Sequence, residues 1–216
     1  MSANHKKWTL PEINQNDLNW DLIPRLEIRE FPWYKSGSKQ RTFIQLAHSD
    51  SKIFVKILSE DSWSYACKNK LNSQVCEDSC VELFFSPRNK KGSPYFNIEV
   101  NCIGTLHFAY GAGREHRIKC SPDQAEQLKI QASLPGPLKE EMASDSQWTV
   151  ELEIPIVVLS EWVGEPLHLK DNWCANFYRC GGRKDPQYAV WNHIQTDEPD
   201  YHRPEQFGEI VFDTHS

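Results

Sequence analysis

Apolar and polar side chains alternate along two neighbouring segments of this chain, VELFF at 81–85 and YFNIEV at 95–100. A period of two is typical of β-strands, because successive side chains point to opposite faces of a sheet. Comparable segments, separated by turn residues, recur along the chain, and the predicted strands cover 42–47, 53–58, 80–86, 95–101, 104–110, 127–133, 148–154, 173–178 and 207–213. We therefore predict an all-β fold, an antiparallel β-sandwich or jelly roll of about nine or ten strands, with little helix beyond a short one at 156–162.

The length of 216 residues fits one domain, since all-β sandwiches of this size commonly form a single unit. We predict a single domain over 1–216. Its first part, 1–35, has irregularly spaced apolar residues and is predicted to be an arm packed on that domain. Residues 59–78 are polar and irregular, which indicates a long loop before the central strands.

Composition excludes some classes of partner. The net charge is -6 and no block of Lys and Arg occurs, which argues against nucleic acid and against an anionic membrane surface. No segment approaches the roughly 18 apolar residues that span a bilayer. The N-terminal segment lacks the apolar core of a secretion signal, and the seven cysteines form an odd number. Both features predict reduced thiols and a cytoplasmic location.

The alternation places polar side chains on one face of the two central strands, namely Glu82, Asn97, Glu99 and Asn101. If the strands pair as a hairpin, Glu82, Glu99 and Asn101 become neighbours. Carboxylates and amides provide the mixture of donors and acceptors that sugar hydroxyls need. The alternative is an ordinary solvated sheet face. A third interpretation makes Glu82 and Glu99 the acid and base of a glycosidase.

Trp191 lies in a short strand-like segment, YAVWN, directly before the polar loop 193–206. Such a ring either stacks on a ligand at the edge of the loop or covers the core. The cysteine spacings, Cys76-x3-Cys80 and Cys174-x5-Cys180, do not match the usual zinc pairs, which favours small buried thiols.

Several blocks together resemble the family 9 carbohydrate-binding modules, which belong to the wider group of DOMON-like β-sandwich domains. The resemblance covers about residues 40 to 213 and is carried, in order, by DSCVELFFSP, YFNIEVNCIGTLH, WTVELEIP, NWCANFYRCGG, Trp191 and RPEQFGEIVF. It implies a β-sandwich that binds a mono- or oligosaccharide without cleaving it. The sugar is then held between two tryptophan rings, and charged and amide side chains bind its hydroxyls.

The resemblance also assigns individual positions. The second stacking ring falls on Trp191, the strand carboxylate on Glu82 and the strand amide on Asn101. The position of the family's strand arginine holds Glu99. The first ring falls near Cys76, so we predict that Trp63 or Tyr65 in the preceding loop supplies that ring.

Cofactors and competing functions follow from the same resemblance. Structural calcium occurs in the family, and Asp61 and Asp78 are the candidate ligands here. Some DOMON relatives bind haem through Met and His, but this chain offers only Met1 and Met142, the latter in a predicted polar loop. A domain that has lost sugar binding, and one that instead binds a protein partner, are the remaining alternatives.

Overall fold

Two β-sheets pack face to face in the computed structural model, which describes residues 6–88, 93–171 and 173–213 apart from the side chains of 142–146. The strands are β1 (Lys7–Leu10), β2 (Leu26–Glu27), β3 (Thr42–His48), β4 (Lys52–Ala66), β5 (Cys80–Ser86), β6 (Tyr95–Asn101), β7 (Leu106–Gly111), β8 (Ile118–Lys119), β9 (Lys129–Ala132), β10 (Leu138–Pro155), β11 (Trp173–Cys180), β12 (Ala189–Val190) and β13 (Gly208–Phe212). The α-helices are α1 (Pro122–Ala125) and α2 (Ile156–Val163), and single 3-10 turns occur at Trp20–Leu22, Val75–Glu77 and Pro204–Gln206. Among the described residues, no helix combines the length and the apolar character needed to cross a bilayer.

The eight-stranded sheet has the order β1-β13-β11-β5-β6-β7-β8, with β12 also paired to β11, and the five-stranded sheet has the order β2-β3-β4-β10-β9. Neighbours are antiparallel except β1 and β13, which run parallel. The predicted all-β sandwich is therefore confirmed. The described residues form thirteen strands rather than about nine or ten. β2, β8 and β12 have only two residues each, too few to show alternation. β1 lies in the segment predicted to be an irregular arm.

Two strands are longer than predicted by eight residues or more, and the prediction of a loop over 59–78 is wrong for its first part. β4 continues to Ala66, and β10 begins at Leu138 instead of 148, so Met142 also lies in a strand. The two extensions pair with each other, with Ser64 opposite Met142 and Ala66 opposite Leu138, across two irregularities of register. Mutual backbone pairing stabilises these polar segments as strands, although their side chains carry no clear alternation.

The main core lies between the sheets, where the predicted alternation puts its apolar side chains. Val81, Leu83 and Phe85 of β5 belong to the same buried cluster as Val150 and Leu152 of β10. The alternate residues of β5 consequently point away from the core, to the outer face of the eight-stranded sheet.

Loops cover much of that outer face and form a second apolar cluster with it. Phe84, Tyr95 and Tyr178 of the sheet pack with Trp33 of the N-terminal arm and Tyr201 of the loop before β13. The rings of Tyr178 and Tyr201 stack with centroids 4.2 Å apart, and the Trp33 indole donates to the backbone oxygen of Thr196 at 2.9 Å. The N-terminal arm and the loop before β13 therefore cover much of the outer face. The candidate site lies in the part of this face that remains open.

Candidate functional site

Two glutamates form the floor of the opening. Glu82 of β5 and Glu99 of β6 are directly opposite each other in the antiparallel register, as the hairpin interpretation predicts. Both point to the outer face, and their side chains are almost buried, at 3% and 7% exposure. Burial of two neighbouring carboxyl groups is costly, which is characteristic of a site that serves a ligand.

A cleft of about 240 Å³ lies above these glutamates. The segment before β5, the end of β11, the segment before β12 and the loops after β7 and before β13 all contribute to its walls. The lining residues are Cys76, Glu82, Glu99, Arg114, Cys180, Tyr188, Pro199, Tyr201 and His202. The volume suits one small polar molecule, since drug-sized ligands occupy roughly 300–1,000 Å³.

Glu82 retains its proton more strongly than an exposed glutamate does. Burial raises its pKa well above the ordinary value, and the neighbouring Glu99 carboxyl adds to the effect. The Cys180 thiol donates to Glu82 Oε1 at 2.8 Å, which partly opposes the rise. A protonated Glu82 offers a ligand one O–H donor as well as an acceptor oxygen.

Glu99 has a stronger set of polar partners. Asn97 Nδ2 donates to Glu99 Oε1 at 2.6 Å, and Arg117 Nε donates to Asn97 Oδ1 at 2.9 Å. Burial still raises the pKa of Glu99, although His107, Asn97 and Arg117 favour the ionised form. The guanidinium of Arg117 therefore supports the Glu99 carboxyl through the Asn97 side chain. Arg117 lies in the segment after β7 and not on β6.

His202 adds a neutral imidazole to the cleft. Burial and the positive charges of Arg117 and Arg114 lower its pKa to about 3, so the ring is uncharged near neutral pH. The Tyr95 hydroxyl, whose pKa burial raises to about 12, lies within hydrogen-bonding distance of His202 Nδ1, at 2.6 Å. In the tautomer in which the hydroxyl donates to Nδ1, the ring proton lies on Nε2 and this nitrogen is a donor.

Tyr188 supplies an aromatic ring at the rim, with 40% of the residue exposed. Tyr188 and Pro199 also line an adjoining groove of about 430 Å³, whose other aromatic residues come from the N-terminal arm at Phe31, Trp33 and Tyr34. The polar cleft and the aromatic groove are thus adjacent, and the exposed ring of Tyr188 borders both.

The family model for carbohydrate-binding family 9 matches residues 12–212. This chain belongs to carbohydrate-binding family 9. Members of the family are non-catalytic binding modules, which confirms the predicted family and class of function. No curated protein sequence matches the chain significantly.

Solved structures of similar fold agree with this placement. A protein from Bacteroides uniformis, described as a candidate carbohydrate-binding protein, is 25% identical and has a TM-score of 0.87, with 97% of this chain and 100% of that chain covered. A family 9 module from Caldicellulosiruptor kristjanssonii in complex with glucose is 12% identical, with a TM-score of 0.64 over 98% of this chain and 97% of that chain. The same module in complex with cellotriose has the same identity and TM-score, with 95% of that chain covered. At 12% identity these two likenesses show the shared fold alone.

Trp191 of this family 9 module does not lie in the cleft. The residue is 2% exposed and belongs to the main core, where its ring packs against Trp8 at 6.3 Å and Phe177 at 5.2 Å between centroids. A ring enclosed on these sides has no free face, so the predicted stacking role does not fit its position. Tyr188, three residues earlier, is the aromatic residue that reaches the cleft from this segment.

Asn101 is likewise engaged elsewhere. Its side chain is buried, and Nδ2 donates to Asp78 Oδ2 and to the backbone oxygen of Lys68, both at 2.8 Å. Its Oδ1 accepts from the backbone N–H of Thr105 at 2.8 Å. These bonds fasten loops to the end of β6, so the predicted role in orienting a sugar does not fit this amide.

Neither of the predicted replacement rings lines the cleft. Trp63 belongs to β4 of the five-stranded sheet and is covered by the ammonium of Lys184, 4.2 Å from its ring centroid. Tyr65 is buried in the same strand, with the guanidinium of Arg183 3.9 Å from its ring centroid. The prediction assumed a loop here, and the extension of β4 puts both rings in the other sheet. Cys76 does lie at the cleft.

The two candidate calcium ligands instead accept hydrogen bonds from N–H groups of the protein. Asp61 pairs with Arg179 at 2.7 Å and accepts from the Trp148 indole at 3.0 Å. Asp78 accepts from the backbone N–H groups of Cys67 and Lys68. Since these donors use the carboxylate oxygens, the two positions do not fit a calcium site.

The sequence gives no local signal for most of the residues that line the cleft. Arg114, Tyr188, Pro199, Tyr201 and His202 lie outside the long alternating segments, so no local pattern marks them. The available signal was the long polar loop 193–206, in which Tyr201 and His202 lie, but that signal does not indicate which face the loop covers.

Proposed function

We propose that this module binds the sugar unit of a carbohydrate in the cleft over Glu82 and Glu99, without cleaving it. The observation that carries the proposal is the directly opposed pair of buried carboxyl groups at the floor of a small open cleft. Polar groups that converge in this manner suit a ligand with several hydroxyls, each of which both donates and accepts. Family membership supports a carbohydrate as that ligand.

Each wall residue has a distinct role in this proposal. The protonated Glu82 carboxyl donates a hydrogen bond to one sugar hydroxyl, and the Glu99 carboxylate accepts a hydrogen bond from another. His202 Nε2 donates to a ring or hydroxyl oxygen, and Tyr188 stacks on the apolar face of the sugar. Affinity is moderate, because a sugar exchanges hydrogen bonds with water for hydrogen bonds with the protein at a net gain of about 1 kcal/mol each.

The adjoining groove supports an oligosaccharide rather than a single sugar as the complete ligand. It begins at Tyr188 and Pro199, where the cleft ends, and offers Phe31 and Tyr34 as further rings. A second sugar unit placed there would stack on aromatic faces without displacing the first unit from the glutamates.

Calorimetric titration with glucose, cellobiose and cellotriose, followed by a wider sugar panel, tests the site. We expect Glu99→Gln and Tyr188→Ala each to lower affinity at least about tenfold, since each removes a charge-assisted bond or the stacking ring. Tyr34→Ala is the matched control, an exposed tyrosine outside the cleft. It should leave glucose binding unchanged and weaken cellotriose binding. Absence of binding by the wild type, or equal binding by all variants, contradicts the proposal.

We propose further that the glutamate pair does not hydrolyse glycosides. The two carboxyl groups of a glycosidase flank the scissile bond. Glu82 and Glu99 instead lie side by side on one face of the sheet, at the floor of the cleft, and members of family 9 are non-catalytic binding modules. We expect no release of chromophore from aryl glycosides above the level of Glu82→Gln. Turnover by the wild type that Glu82→Gln abolishes would establish the enzyme interpretation instead.

A further inference from the structure

Three metal-ligating side chains meet beside the cleft, and two of them, Glu82 and Cys180, line it. The Sγ atoms of Cys80 and Cys180 and a carboxylate oxygen of Glu82 all lie within 4.8 Å of one another, and all three residues are buried. Cys180 Sγ is 2.8 Å from Glu82 Oε1. The cysteines are 100 positions apart in the chain, so no spacing motif could reveal the cluster.

The sheet itself creates this arrangement. Cys80 and Cys180 are directly opposite each other on the antiparallel strands β5 and β11. Glu82 follows two residues after Cys80 and therefore shares its face of the sheet. Three donors thus come from paired strands, which hold ligands more rigidly than loops do.

The donor set and the separations suit zinc. With Zn–S bonds of about 2.3 Å and Zn–O bonds of about 2.1 Å, tetrahedral ligand atoms lie roughly 3.6–3.8 Å apart. Separations up to 4.8 Å reach those values by small side-chain rotations. Two thiolates select zinc over calcium or magnesium, which prefer oxygen ligands throughout.

The cluster borders the cleft. Glu82 and Cys180 line the cleft together with Arg114, so a bound ion would face the cleft on that side. A divalent ion with two thiolates and one carboxylate carries a net charge of -1, which the guanidinium of Arg114 in the same cleft offsets.

We propose that Cys80, Glu82 and Cys180 form a binding site for a thiophilic divalent cation of the zinc class, with a fourth coordination position facing the cleft. The proposal does not rest on sugar binding. Three protein ligands and one open position distinguish it from closed structural zinc sites, which use four protein ligands.

Cobalt titration of the reduced, metal-free protein tests the site, because thiolate coordination to Co²⁺ produces a charge-transfer band in the near ultraviolet. We expect one equivalent of Co²⁺ per chain, with the band lost when Zn²⁺ displaces it. Cys80→Ser and Cys180→Ser should each weaken binding at least about tenfold. Glu82→Gln should weaken binding but keep the thiolate band.

Cys174→Ser is the matched control, since Cys174 is a buried thiol on the same strand as Cys180 but outside the cluster. It should bind Co²⁺ as the wild type does. Absence of the band in the wild type overturns the proposal. So does a band that survives in Cys80→Ser and Cys180→Ser, or one that depends on Cys76 instead.

X-ray absorption of the zinc-loaded wild type gives a second test that needs no variant to fold. We expect two sulfur ligands near 2.3 Å and the remaining ligands to be oxygen or nitrogen. A shell of oxygen and nitrogen alone, or of four sulfurs, overturns the site. Sugar calorimetry on the metal-free protein addresses the proposed function separately, so the two failures are distinguishable.

Discussion

Glu82 shows how a single residue links the stability of this module to its site. An apolar side chain at its position on β5 would join the second cluster with Phe84 and avoid the cost of burying a carboxyl group. The carboxyl group is instead kept opposite Glu99, where its pKa is raised by burial. Proteins commonly keep residues at a ligand site that lower the stability of the fold.

The pH dependence of stability should reveal this cost. The unfolded chain releases the Glu82 proton near 4.5, so above that pH the folded state either retains a proton or buries a charge. The favourable contribution of a raised pKa is present at acid pH and is lost as pH rises. We expect Glu82→Gln to raise the Tm at pH 8 by about 2–4 °C, on the order of 1 kcal/mol.

Thermal denaturation at pH 4.5 and pH 8 provides the comparison, and the gain should shrink at the lower pH. Glu161→Gln, an exposed position on α2, is the control and should change the Tm little at either pH. A gain for Glu82→Gln that is independent of pH, or that is larger in acid, would contradict the burial argument.

Trp191, unlike Glu82, is expected to contribute to the stability of the fold and not to sugar binding. Because its ring packs against Trp8 and Phe177 in the main core, Trp191→Ala should destabilise the fold by about 3–5 kcal/mol. Sugar affinity, measured by calorimetry well below the Tm, should stay close to that of the wild type. A variant of near-normal stability that has lost sugar binding would restore the stacking role predicted from the sequence.

At the scale of elements, a buried ion pair joins the two sheets. Asp61 of β4 and Arg179 of β11 are 2.7 Å apart, with side chains 3% and 1% exposed. The Trp148 indole on β10 donates to the same Asp61 oxygen at 3.0 Å. The ion pair and the indole hydrogen bond thus connect β4 and β10 of one sheet to β11 of the other.

We expect Asp61→Ala to destabilise the module by about 3–5 kcal/mol, because it leaves the Arg179 charge buried without its partner. Glu153→Ala is the control, since Glu153 pairs with Lys52 and Lys129 at partly exposed positions, and its loss should cost no more than about 1 kcal/mol. Urea denaturation measures both. Similar losses for the two variants would show that burial of the Asp61 pair has little effect.

The extensions of β4 and β10 illustrate the limit of sequence reasoning for elements. Segments with regular alternation, such as 80–86 and 95–101, became β5 and β6 with those bounds. The polar stretch 59–66 became strand as well, because its backbone pairs with β10. Pairing between distant segments determines such strands, and no local pattern records it.

At the scale of the whole molecule, the N-terminal arm, the core and the last strand meet at Gly208. A Cβ at this position would lie 2.6 Å from the Trp191 ring and 2.7 Å from the backbone oxygen of Lys6. The parallel pairing of β1 with β13 starts beside it, with Lys7 opposite Glu209. A side chain here would push the arm, the core ring and the last strand apart.

Gly208→Ala should therefore destabilise the module by about 1–3 kcal/mol through overpacking. Gly113→Ala is the matched control, since a Cβ there meets nothing within 4 Å. Chemical denaturation of both variants checks the difference. A neutral Gly208→Ala would show that the arm shifts away from β13 at little cost.

The sequence by itself determined the class of fold, the inward and outward faces of the central strands, and the common outer face of Glu82 and Glu99. These properties follow from a period of two along short segments, which is local information. Family resemblance added the type of function, and among the residues that it singled out, Glu82 lines the cleft.

Only the tertiary structure decided the rest of the site. It placed Trp191 in the core and Tyr188 at the rim, although the two residues are three positions apart. It also brought Arg114 and His202 over the glutamates and set Cys80 beside Cys180. The physical reason is that loop paths and contacts between distant strands depend on packing across the whole molecule, which no periodicity along the chain encodes.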